Sequence, residues 1–151
     1  MSDHWYACIR IGGCLPREHV SRLCALMGVG GDDDEVLRQR LEGGRLSHED
    51  SQADGGAFEE LEEACRELGL AYIRRSDGFW EILPQVEFWQ PGMAEPVGIT
   101  TDSDGNPLVP MATLIETRDL LRAGRSAAAL ALLEDAAVEV PDLPLFCVLC
   151  S

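Results

Sequence analysis

The residues best suited to chemistry are carboxylates. Between Asp32 and Glu67 the chain carries thirteen acids against four arginines, a local charge of −9. Five of them, Glu59, Glu60, Glu62, Glu63 and Glu67, fall within DGGAFEELEEACRELG (54–69), where only Arg66 answers them. On a helix, Glu59/Glu62/Glu63 and Glu60/Glu63/Glu67 are neighbours, and each like-charge pair costs a few tenths of a kcal/mol. Glu59 and Glu60 recover part of that from the helix dipole. Such a face has three possible uses: solubility, general acid–base chemistry, or docking of something basic. No spacing marks any of these acids as buried, which disfavours acid–base catalysis. The functional expectation is a partner-binding surface made of Asp32, Asp33, Asp34, Glu59, Glu60, Glu62, Glu63 and Glu67. A solvated outer face explains the same residues without a partner.

Other reactive residues are weaker candidates. Cys14 lies in the Gly-rich stretch GGCLP, after an expected strand and before an expected helix start, where a thiol pKa is lowered. His4 and His19 are the available imidazoles, but no nucleophile motif surrounds them. The same glycines match neither GxGxxG nor a P-loop. Cys147-Val148-Leu149-Cys150 has CxxC spacing but no second ligand pair, so no zinc site is expected. DSDGN (102–106) departs from the EF-hand pattern, with Gly105 fourth and Thr113 at position twelve, so it is expected to be a turn. Trp80, Phe88 and Trp89 lack the basic groove that accompanies base-stacking platforms. Core packing or a protein interface suits them better. No catalytic residue and no cofactor are assigned.

The global charge points the same way. Twelve cations, all arginine, stand against 27 acids, for a net −15. That field repels nucleic acid and anionic lipid and speeds encounter with basic proteins. No apolar run approaches the ~18 residues of a membrane span. MSDHWYACIRIGG has no signal-peptide character, so a cytoplasmic protein with reduced thiols is expected. Cys8, Cys24 and Cys65 are expected to be small core residues.

The elements that must position these groups are readable from periodicity. Alternation over Trp5–Ile11 predicts a strand. Pro16 opens a helix with Val20, Leu23, Cys24 and Met27 on one face, and Gly28 ends it. Asp32–Glu35 begins a short helix, stopped by Gly43-Gly44. Residues 45–50 are expected to be a short polar edge strand. A helix over 56–68 buries Phe58, Leu61, Cys65 and Leu68, with Gly69 at its stop. Strands follow at 70–75, 79–83 (paired back as a hairpin), 85–90, and 97–101 with 107–109. Helices at 113–123 and 126–138 form a helical hairpin, and the end is extended. The expected fold class is α+β, an antiparallel or mixed sheet packed with helices. One domain spans 1–151: sheet and helices over 1–110, helical hairpin over 111–138, extended tail over 139–151.

The stretches DSQADGGAFEELEEACRELGLAYIRRSDG, FWQPGM and TDSDGNPLV resemble small acidic proteins carried by bacterial plasmids and phages. The resemblance implies a mobile-element setting and no particular activity. By analogy with that class, the expectation is a non-enzymatic inhibitor of a nucleic-acid-binding defence protein, of anti-CRISPR or anti-restriction type. It would dock carboxylates where DNA presents phosphates, and bind neither nucleic acid nor membrane itself. Reversing Glu59, Glu62 and Glu63 should then abolish binding without unfolding. The alternatives are an immunity-type or scaffold protein with a mixed interface including Trp80 and Trp89, or a thiol enzyme using Cys14.

Overall fold

A computed structural model describes residues 4–28 and 30–150. The fold is α+β. Strand β1 (His4–Pro16) runs through the middle of a sheet ordered β2-β3-β1-β4-β5-β6. The others are β2 (Leu41–Glu42), β3 (Arg45–Asp54), β4 (Ala71–Ser76), β5 (Gln85–Trp89) and β6 (Val97–Thr100). All these pairings are antiparallel. A seventh strand, β7 (Phe146–Leu149), pairs parallel with Gly13–Pro16 of β1.

Register places Ile9 opposite Arg74 and Ile11 opposite both Leu46 and Tyr72, while Tyr72 faces Trp89. These side chains line one face of the sheet. Helices α1 (Val20–Leu26), α2 (Asp33–Arg40) and α3 (Glu59–Leu68) cover it with Val20, Leu23, Cys24, Val36, Leu37, Leu61 and Cys65. α1 and α3 supply apolar residues at three- and four-residue spacing and α2 the adjacent pair Val36–Leu37, which is why they settle on that face. Gly69 ends α3 at φ 72°, and Leu70 N–H reaches back to Cys65 O at 2.8 Å, as a left-handed stop requires.

Several expectations need correction. β1 does not end at Ile11. Its second half leaves β3 and β4 and takes β7 instead, and a Cβ on Gly12 would overlap the Pro144 carbonyl. The GGCLP stretch is therefore strand, with a 3-10 turn at Arg17–His19 before α1. β3 is ten residues long rather than six, and β2 covers only its first two. Residues 79–83 do not pair back as a strand. Phe79 and Ile82 exchange both backbone hydrogen bonds across a tight two-residue turn, with Trp80 at φ 54°. It is β5 that pairs with β4. Near the DSDGN turn, Thr101 bridges Pro107, but 107–109 forms no strand. The Asp102 carboxylate accepts from Asp104 N–H, Asn106 N–H and the Asn106 amide, so its oxygens serve the turn.

Beyond the sheet, α4 (Met111–Arg122) and α5 (Ser126–Ala136) are joined by Ala123–Arg125 and pack chiefly on each other. The tail returns to the sheet. Phe146 N–H bonds to Gly44 O, Gly13 N–H to Leu145 O, and the Arg45 guanidinium donates twice to Leu143 O. Ser151, the end of the expected tail, lies outside the described residues.

Candidate acidic docking site

The acidic segment is divided by the fold into acids used internally and acids facing outward. α2 starts at Asp33 with Asp32 at its N-cap position, and it packs beside α1. That contact turns Asp33 toward Ser21, whose hydroxyl donates to it at 2.6 Å, and Asp34 toward Arg17, which forms an ion pair with it. Glu67, on the last turn of α3, pairs with Arg22 of α1. These three expected contact residues are thus engaged by α1 and the turn before it, although Asp34 and Glu67 stay about half exposed.

Glu62 overturns the expectation of an exposed contact. It is on the buried side of α3, with its carboxylate reaching back to the Phe58 N–H at 2.6 Å and accepting from Arg74 Nη1 at 3.1 Å. The other arm of Arg74 binds Glu87, directly opposite on β5. Two carboxylates thus share one guanidinium beneath α3, and Arg74 Nε is buried without a partner. Burial, the largest influence, pushes the Glu62 carboxyl above its ordinary 4.5, Arg74 and the Phe58 N–H oppose this, and Glu87 adds to it.

Glu59, Glu60 and Glu63 remain outward. All three are exposed, and none has an ion-pair partner among the described residues. Asp32 is also exposed. An open cleft of about 490 Å³ runs beside α3, bounded by Glu59, Glu62, Glu63, Glu87, Arg66 and Arg74. A second, of about 300 Å³, lies on the other side of the helix start, with Asp54, Glu59 and Glu60 on its wall. Arg66 is partly committed elsewhere, donating to the Tyr72 hydroxyl at 2.8 Å. The outer surface of α3 is therefore a carboxylate ridge between two shallow clefts. Its geometry suits guanidinium or ammonium groups arriving from solvent.

The cysteines are rearranged relative to expectation. Cys14 and Cys147 face each other across β1 and β7 with Cα atoms 4.7 Å apart and are disulfide-bonded. Neither is then a free thiol, which removes Cys14 as nucleophile and breaks up the Cys147/Cys150 pair. Parallel pairing of segments 133 residues apart brings the two together. Cys24 and Cys65 are core residues as expected, and burial pushes the Cys65 thiol up to about 12, so it is inert. Cys8 is only half-buried, its sulfur 3.7 Å from the Ser47 hydroxyl. Its strand parity puts it opposite Ile9, away from the helices. Among the described residues, no cluster of three or more His, Cys, Asp or Glu side chains is arranged to hold a metal ion.

One feature escaped sequence reasoning. The Arg74 triad depends on the register of β4 on β5, which the misassigned 79–83 segment obscured. Trp80, 90% exposed at the tip of its turn with Phe79, Ile82 and Leu83 also exposed nearby, is the most prominent apolar side chain on the surface. Phe88 and Trp89, by contrast, are buried. No helix among the described residues is long and apolar enough to cross a membrane. In comparisons with known proteins, no family model matches the chain, and neither a curated protein nor a solved structure is significantly similar to it.

Proposed function

We propose that the chain acts by binding rather than by catalysis, as an inhibitor that lays a carboxylate ridge on the basic, nucleic-acid-binding surface of a defence protein. The observation that carries this is Glu59, Glu60 and Glu63, exposed on α3 with no ion-pair partner among the described residues, beside a cleft lined by Glu62 and Glu87 together with Arg66 and Arg74. Unneutralised like charges at helical spacing cost stability and create a field that draws in cations. Competition with nucleic acid would follow from electrostatic occupancy, so the complex should weaken as salt rises. Membrane and nucleic acid are not partners in this scheme, and the protein would act in the cytoplasm beside its target, with the Cys14–Cys147 bond an exception to the reduced thiols expected there.

The contact set is narrower than the acidic segment. Glu59, Glu60, Glu63 and Asp32 are exposed and unpaired among the described residues, whereas Asp33, Asp34 and Glu67 are engaged with Ser21, Arg17 and Arg22. Reversing Glu62 would bury a second guanidinium beside Arg74, so it cannot serve as a folding-neutral control. The test is Glu59→Arg/Glu60→Arg/Glu63→Arg, measured by capture of nucleic-acid-binding proteins from a bacterial lysate at low and high salt. Loss of capture with unchanged thermal stability supports the proposal, and full retention of the same partners sinks it.

A second scheme is favoured by Trp80. A bulky residue held at positive φ and almost fully exposed is unusual, and tryptophan is a common interface anchor. An immunity-type or scaffold protein would use that turn, with weak salt dependence. Trp80→Ala would then abolish binding, whereas the acidic ridge variant would leave it intact.

A further inference from the structure

The outer edge of β6 is left open where the chain turns away from it. Thr101 N–H donates to Pro84 O, just before β5, and the Thr100 carbonyl accepts from Leu108 N–H on the opposite side, both at 2.9 Å. Backbone groups alternate sides along a strand, so Gly98, like Thr100, directs its N–H and C=O away from β5. The Thr101–Pro107 bridge and the Leu108–Thr100 bond set a register that brings Pro110 opposite Gly98. Proline has no N–H to give, and the Pro110 carbonyl instead accepts from Thr113 and Leu114 at the start of α4. The ladder therefore stops at Thr100. Gly98 N–H, Gly98 C=O and Thr100 N–H make no backbone hydrogen bond among the described residues. Gly98 is also exposed, with nothing within 4 Å of where a Cβ would stand.

A cleft of about 650 Å³ adjoins this edge. Leu83, Leu108, Val109 and Val138 line it, the first three between 44% and 54% exposed. It shares no residue with either cleft beside α3. Its single charged lining residue is Asp135, exposed and without an ion-pair partner among the described residues. From Ser126 to Ser151 the chain holds Glu134, Asp135, Glu139 and Asp142 and no base. Three features then define an occupant. Free donors and an acceptor on a strand edge are satisfied by another extended backbone. Aliphatic walls receive aliphatic side chains from alternate residues of that backbone. An unanswered carboxylate in an acidic stretch selects Lys or Arg and disfavours a second copy of this chain, whose own net charge is −15.

We propose that the β6 edge takes an extended segment of a partner protein, with alternating aliphatic and basic residues, as an added strand. Its backbone pairs with Gly98 and Thr100, an aliphatic side chain rests on Leu108, Val109 and Val138, and a cation meets Asp135. The edge would work whether or not the α3 ridge binds anything. The test is fluorescence anisotropy of the full chain with two labelled hexapeptides, one alternating valine and arginine, the other serine and arginine. The valine peptide should bind at least ~10-fold tighter than the serine peptide of equal charge. When it is bound, amide hydrogen exchange at Gly98 and Thr100 should slow. Gly98→Pro removes the outward N–H and leaves the bonds to β5, and it should weaken binding ~10-fold. Asp135→Lys, at an exposed position, should weaken it by a similar ~10-fold. Equal binding of the two peptides (none included), unprotected Gly98 and Thr100 amides, or variants that bind as wild type overturn the proposal. So does self-association of the free chain that Gly98→Pro abolishes, which would make the occupant a second copy.

Discussion

Replacing Arg74 with methionine tests how the acidic helix is anchored. Arg74, Glu62 and Glu87 have side chains 10%, 4% and 22% accessible, so their charges are mostly withdrawn from water. At 3.1 Å and an effective dielectric near 20, the gross Arg74–Glu62 attraction is ~5 kcal/mol. Methionine fills similar volume but leaves two carboxylates facing each other without a cation. Removing one member of a buried ion pair costs ~3–5 kcal/mol, a third or more of a typical domain's stability. Protonating Glu62 relieves the repulsion, so the loss should shrink as pH falls from 7 toward 4. Urea unfolding at several pH values measures it. Arg74→Met/Glu62→Met should recover at least half of the loss, because Arg74 Nε has no partner and the triad is only partly compensated even in the wild type. A loss below ~1 kcal/mol at pH 7, or one independent of pH, would refute the claim that this triad is a buried, coupled unit.

Further outcomes are expected elsewhere. Because burial raises Glu62 above 4.5, its contribution to stability is fully present below that pH and fades as pH rises through the folded value. The stability of Glu62→Gln relative to wild type should therefore improve between pH 4 and pH 8 in paired urea titrations; a constant difference would contradict the raised carboxyl. Opening the Cys14–Cys147 bond releases a loop closed over 133 residues, worth ~5 kcal/mol in the chain-entropy model and ~2–4 kcal/mol in typical proteins. Cys147→Ser should lower the urea midpoint under non-reducing conditions and make it insensitive to reductant. Gly12→Ala forces a Cβ into the Pro144 carbonyl, so it should cost ~1–3 kcal/mol and speed hydrogen exchange at Phe146 N–H. Trp80→Gly should stabilise by ~1 kcal/mol, since glycine accepts the positive φ without strain and little packing is lost.

What could be read from the chain followed the range of the forces involved. Local signals placed α2, α3 and β4 within a few residues, because apolar spacing, an acidic first turn and Gly69 act over a few residues. The α+β class followed from the order of those elements. Non-local pairing was hidden. β7 on β1, the Cys14–Cys147 bond and the Arg74–Glu87 register each join segments whose meeting no short window encodes. The Phe79–Ile82 turn misled because its apolar residues imitate a strand, while Trp80 adopts a conformation normally left to glycine. For the acidic segment, composition located the helix but could not sort its charges. Glu62 differs from Glu63 only by facing Arg74 rather than solvent.

The central claim is that Glu59, Glu60 and Glu63 occupy a surface where nucleic acid would otherwise bind. The most direct measurement loads lysate proteins onto the immobilised chain at low salt and elutes them with duplex DNA, using the triple arginine reversal as the parallel matrix. Nucleic-acid-binding proteins released by DNA from the wild-type chain and absent from the reversal are the predicted result. Equal recovery from both matrices, or partners that DNA fails to displace, would contradict it.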